Sequence, residues 1–193
     1  EERSHRLCSP IQNIRTDIRE SVFADAGYNY NYDISTAAPT ILYQYYQTVP
    51  SYYGLVLETI EDYIVNKHSV RDELSVSSDL DPGIIKKILN GLFNGAKLSV
   101  HYNTQLFRLI GYDIAKMRYL QQHPYLNALR ADIKEMWCVI KADQPKSYYT
   151  DRFCKDGSPR QRQYGSKAKW NLYFRLERNV LNSIKAYLQA RDC

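Results

Sequence analysis

Seven of the chain's cations fall in one stretch of 24 residues. Lys146, Arg152, Lys155, Arg160, Arg162, Lys167 and Lys169 lie there against only Asp151 and Asp156. The local excess of five equals the net charge of the whole chain, so the remainder is balanced. Tyr148, Tyr149, Phe153, Tyr164 and Trp170 interleave with these cations. Cations mixed with aromatic rings are the chemistry of phosphate contact and base stacking. Arg152, Lys155, Arg160, Arg162, Lys167, Lys169 and Tyr164 are thus candidate nucleic-acid contacts. An acidic protein partner would meet the same charge, and a solvated loop that aids solubility would also carry it.

Other chemistries find little footing. His5, His68, His101 and His123 are scattered, and none accompanies a nucleophile elbow. Cys8, Cys138, Cys154 and Cys193 form no CxxC pair and have no histidine at a zinc-ligand spacing. They read as thiols of a reducing, cytoplasmic compartment, with two disulfides as the alternative that an even count allows. No glycine-rich phosphate loop is present. Glu58, Glu61 and Asp62 read as a solvated helix face.

The elements that would position these groups are mainly helical. Ser9 and Pro10 open a helix over 9–26, with Ile11, Ile14, Ile18 and Val22 on one face. Residues 28–34 then alternate tyrosines with Asn29, Asn31 and Asp33, which predicts a strand. Ser35 can cap a helix through Ile41, Leu42, Tyr45 and Tyr46 that Pro50 interrupts. Further helices are expected near 55–66 and 70–75.

Asp81-Pro82 starts an amphipathic helix over 82–94. Ile84, Ile85, Ile88, Leu89, Leu92 and Phe93 occupy one half of its wheel, and Lys86, Lys87, Asn90 and Asn94 the other. A second short strand is expected over 97–102. Helices follow near 103–110, 113–122 and 124–142, and a long one over 168–190. Residues 143–167 hold two prolines and two glycines without a period, which suits a mobile basic arm. The fold class expected is α+β, predominantly helical, with one or two short strands, as a single compact unit or excised segment. The chain begins at Glu1 rather than Met, which fits a processed product or an excised piece. No stretch nears the roughly 18 apolar residues of a membrane span, and no signal peptide is visible.

Two stretches resemble nucleic-acid polymerases. Tyr32-Asp33-Ile34-Ser35-Thr36-Ala37-Ala38-Pro39-Thr40-Ile41 is similar to the first palm motif, especially the Asp-x-x-Ser-Leu-Tyr-Pro-Ser-Ile form of family B DNA polymerases, with one residue inserted before the proline. Lys86-Lys87-Ile88-Leu89-Asn90-Gly91-Leu92-Phe93-Asn94-Gly95 resembles the finger-helix motif of single-subunit RNA polymerases and of family A and B DNA polymerases. Against the first two, the expected Tyr-Gly is replaced by Asn94-Gly95; the family B form fits Lys86, Asn90 and Phe93, with Asn94 where Gly is expected.

The resemblance implies that Asp33 holds catalytic Mg²⁺, that Lys86 or Lys87 grips a triphosphate, and that Asn90 and Asn94 assist. A carboxylate at a strand end beside a helix start suits two-metal phosphoryl transfer. Arg6 or Arg15, flanking Ser9-Pro10-Ile11-Gln12-Asn13, could add a phosphate contact. A palm also needs a second metal-binding carboxylate on a later hairpin, and no such hairpin is visible before Cys193. The resemblance thus implies a segment cut before that hairpin, or a second polypeptide that supplies it. The rival expectation is a non-catalytic helical protein, nucleic-acid-binding or a viral assembly component, using the same basic arm.

Overall fold

The structure, a computed structural model, describes residues 36–145, 150–153, 159–163 and 165–190. Eight helices fall within them: α1 (Ala37–Thr48), α2 (Glu58–Val65), α3 (Lys67–Ser78), α4 (Pro82–Phe93), α5 (Gln105–Leu109), α6 (Ile114–Gln122), α7 (Pro124–Ala142) and α8 (Ser166–Gln189). A two-stranded ribbon, β1 (Thr150–Phe153) and β2 (Pro159–Gln163), sits between α7 and α8 in sequence.

Local chemistry sets most of these boundaries. Asp81 accepts the Gly83 N–H at 2.7 Å, and Pro82 takes the first helical position, where no donor is needed. Asp113 does the same for α6 by accepting from the Lys116 N–H at 2.9 Å. Helix α2 is different. Its own N-cap is Leu57, which has no acceptor, and Asp132 of α7 supplies one instead. That carboxylate meets the N–H groups of Thr59 at 2.9 Å and Ile60 at 3.3 Å.

Helix α7 is the hub, packed against α1, α2, α4 and α6, while α1 also carries α2, α4 and α8. Leu42, Ile60, Leu89, Phe93, Met117, Leu129, Met136 and Trp137 are buried at the centre. Tyrosines share that core. Tyr43, Tyr46 and Tyr63 are buried, and each hydroxyl finds a partner: Glu61 at 2.6 Å, the Leu55 carbonyl at 2.9 Å and Arg71 at 2.9 Å. These three tyrosines therefore do the work of phenylalanine, with their polar tips satisfied.

The expected α+β class is overturned, because the packed body is helical and no strand supplies the described core. Residues 97–102 form no strand. Side chains satisfy this segment instead of a neighbouring strand: the Gln121 amide donates to the Leu98 carbonyl at 3.0 Å, and the Thr104 hydroxyl to those of Ser99 and His101. The strand expected over 28–34 and the helix over 9–26 lie outside the described residues. The ribbon appears where a structureless arm was expected. It is antiparallel, sets Arg152 opposite Arg160, and has an irregular step between Thr150 and Arg152. Helix α3 runs longer than its expected 70–75, and residues 55–57 lie outside α2, which starts at Glu58. Among the described residues no helix is long and apolar enough to cross a membrane.

Candidate functional site

Helix α4 buries Ile85, Ile88, Leu89, Leu92 and Phe93, which forces its opposite stripe outward. Lys87, Asn90 and Asn94 follow one another at intervals of three and four along that stripe, so they share a face. Gly91, one residue beyond Asn90, lets α5 come close: a Cβ there would stand 3.0 Å from the Leu106 Cδ2. Helix α5 in turn presents Gln105 and Arg108, and α8 brings Trp170 across. Together these side chains line a cleft of about 470 Å³.

The lining combines two cations, three amides and one indole, with no carboxylate among the described residues. Lys87 and Arg108 are exposed and set a positive potential at the cleft, while Trp170 is 39% exposed and offers a ring. Asn94 is 7% exposed. Its amide NH₂ donates to the Asn90 carbonyl at 2.9 Å, and its Oδ1 is buried without a partner. An unpartnered buried acceptor in a cleft wall is costly unless a ligand or water meets it.

Behind this wall lies Lys169. Its Nζ stands 4.7 Å from the centroid of the Trp137 ring and would be 3.4 Å from a Cβ placed on Gly95, a residue of the cleft wall. The Trp137 indole is itself held by donating to the Phe93 carbonyl at 2.9 Å. Burial lowers the Lys169 pKa to about 8, and the Lys141 charge adds to the effect. Lys169 is therefore not a solvent-facing contact of a mobile arm. It is part of the packed body.

The structure sorts the remaining sequence candidates. It brings Lys87, Asn90 and Asn94 together and leaves Lys86, exposed one residue away, outside the cleft lining. Asn94, expected on a polar face, is buried because α4 ends there and its amide turns back onto Asn90. Arg152 lies on β1, and Arg160 and Arg162 on β2. Lys167 is in the first turn of α8. Asp33, Lys155, Tyr164, Arg6 and Arg15 lie outside the described residues.

Glu61 and Asp62, expected as a plain solvated face, accept hydrogen bonds from Tyr43 at 2.6 Å and Tyr125 at 3.0 Å. Among the described residues no group of three or more His, Cys, Asp or Glu gathers where a metal could sit. The cleft's cations and amides do not suit Mg²⁺, which prefers carboxylate and phosphate oxygens.

No family model, curated protein or solved structure matches this chain. What the cleft binds must follow from its chemistry. Gln105, Arg108 and Trp170 carried no signal as a group, since a five-residue helix and a residue some sixty positions later meet only in the fold. Trp170 was visible only as one aromatic among several in the basic stretch. Lys87, Asn90 and Asn94 were legible from the helical wheel.

Proposed function

We propose that this chain is a palm-and-fingers piece of a template-directed nucleotidyltransferase, phage-like or plasmid-like, that handles a nucleotide and a nucleic-acid strand. The observation that carries the reading is the α4–α5–α8 cleft. Lys87 and Arg108 give it charge for phosphates, Trp170 a ring for stacking, and Asn90, Asn94 and Gln105 the hydrogen-bonding groups that a base or sugar needs.

A second feature supports it. Thr36, three residues after Asp33, enters α1 with φ +53°, a strained setting for a β-branched residue, and its hydroxyl is buried without a partner. Helix α1 packs directly on α4. The segment carrying Asp33 therefore leads into an element that touches the cleft helix. In this reading Asp33 holds Mg²⁺, Lys87 meets the triphosphate, and the basic ribbon holds the strand's backbone. A continuation of the chain or a second polypeptide supplies the remaining carboxylate. The exposed thiol of Cys138 suits a reducing, cytoplasmic setting.

The test is nucleotide incorporation on a primed template with Mg²⁺, by the chain joined to its natural continuation or partner. Asp33→Asn should abolish incorporation and leave strand affinity unchanged. Lys87→Ala should raise the nucleotide KM. Strand binding without any incorporation or nucleotide affinity would leave the non-catalytic nucleic-acid binder, a reading favoured by the arginines set along the ribbon.

A further inference from the structure

We propose that the segment from Lys97 to Tyr112, which brackets α5, seats single-stranded nucleic acid, with bases stacked on Tyr102 and Tyr112 and the backbone on Lys97 and Arg108. The inference deepens the strand-binding part of the reading above, which gave the strand only the ribbon.

Charge narrows the choice of occupant. No Asp or Glu occurs from Pro82 to Tyr112, while Lys86, Lys87, Lys97 and Arg108 fall in that stretch and are all exposed. The carboxylates that bound it, Asp81 and Asp113, are engaged as the caps of α4 and α6. An acid-free cationic surface suits a polyanion.

The exposed rings say which polyanion. Tyr102 is 67% exposed and lies nearly parallel to the exposed ring of His101, at 18° and 4.9 Å between centroids. The turn that carries the pair is tied down, since the Thr104 hydroxyl reaches the Ser99 and His101 carbonyls and the Asn103 N–H donates to the His101 Nδ1 at 3.3 Å. A short stack that stops at water can be lengthened by a base. Tyr112 is 49% exposed and stands edge-on to the buried Phe107, with 5.5 Å between centroids. Its N–H donates to the Phe107 carbonyl at 2.9 Å, which fixes it to α5. Its φ of +61° lies in the left-handed region, where a bulky side chain is disfavoured and Asn or Gly fits better. The core gains little from either ring, because both remain in water.

Both rings adjoin the cleft. Gln105 and Arg108 of α5 line it, and Tyr102 precedes Gln105 by three residues, so their Cα atoms are at most about 11 Å apart. A strand crossing α5 therefore passes beside the cleft.

The test is binding of the whole chain to fluorescein-labelled oligothymidylate and oligouridylate of about 12 nucleotides. The tighter of the two identifies the strand as DNA or RNA. An abasic oligomer of the same length and charge should bind about tenfold more weakly. Tyr102→Ala should weaken the base-bearing oligomer about tenfold, leave the abasic one unchanged, and keep the slope of log K against log salt. Tyr102→Phe, which retains the ring, should bind as the wild type does. Tyr112→Asn, suited to the left-handed backbone, should behave like Tyr102→Ala.

Should these variants fail to fold, the wild type still reports. Irradiation with a strand carrying 5-iodouracil, which couples to a ring stacked on it, should label the tryptic peptides 98–108 and 109–116. Labelling confined to other peptides, or equal affinity for the abasic oligomer, overturns this base-stacking surface and leaves the ribbon as the strand contact. If neither oligomer binds, the strand-binding part of the proposed function falls with it.

Discussion

Trp137 donates its indole N–H to the carbonyl oxygen of Phe93 over 2.9 Å, with both residues buried. The bond ties the middle of α7 to the last residue of α4, next to Asn94 of the cleft wall. Phenylalanine at 137 would keep an aromatic ring and leave the Phe93 carbonyl unsatisfied in the core. Trp137→Phe should therefore lower unfolding stability by about 1–3 kcal/mol, read by urea denaturation. A change within a few tenths would mean that this bond contributes nothing to holding α4 on α7.

Asp132 caps a helix to which it does not belong. Asp132→Ala should cost about 1–2 kcal/mol, and Asp132→Asn, which keeps an acceptor, distinctly less. Hydrogen exchange localises the effect. The amides of Thr59 and Ile60 should lose protection before those of α4. Equal losses across all helices would show that the residue acts on global packing rather than on α2.

Alkaline stability should have two limbs of opposite sign. Lys169 has a folded pKa near 8, below its ordinary value, so the unfolded chain binds more protons through the interval above 8. Stability therefore rises with pH there, by linkage. Tyr43, Tyr46 and Tyr125 behave in the reverse sense. Burial is the main cause that raises each of them, and Tyr46 reaches about 12. Above about pH 10 the unfolded tyrosines ionise first, so the stability that their neutral hydroxyls contribute is lost as pH climbs toward the folded values. Chemical denaturation across that range should show the rise and then the fall. Lys169→Met should remove the first limb, and Tyr46→Phe should soften the second.

Removing the ribbon's charge tests the strand contact. Arg152, Arg160 and Arg162 changed together to Gln should reduce single-strand affinity and make the slope of log K against log salt shallower by about two. Nucleotide affinity at the cleft should not move. If the slope is unchanged, the ribbon does not contact phosphates.

The legibility of this fold depended on how local each determinant was. Asp81-Pro82 and the spacing from Ile84 to Phe93 declare α4 within a dozen residues, and the structure places Pro82–Phe93 in that helix. Helices were also expected over 113–122, 124–142 and 168–190, and α6, α7 and α8 lie there. The start of α2 was misplaced because its cap comes from Asp132, 73 residues downstream. Residues 97–102 alternate like a strand, but a strand needs a neighbour to bond with, and Gln121 and Thr104 take that place here. The cleft was half legible. Lys87, Asn90 and Asn94 follow from one wheel, whereas Arg108 and Trp170 are brought to them by tertiary contact. Lys169 was read as one cation in a basic run, since nothing in a run of charges reveals which member will rest on a buried indole.

The lodging of Trp170 opposite α4 also orders events during synthesis. A ribosome would release α4 and α5 long before α8, so one wall of the cavity would stand open, with Asn94 facing water, until α8 folds back onto α1. An arrest after residue 145 should therefore give a helical body that melts cooperatively yet has no affinity for nucleotide. Ligand binding would then report that α8 has docked.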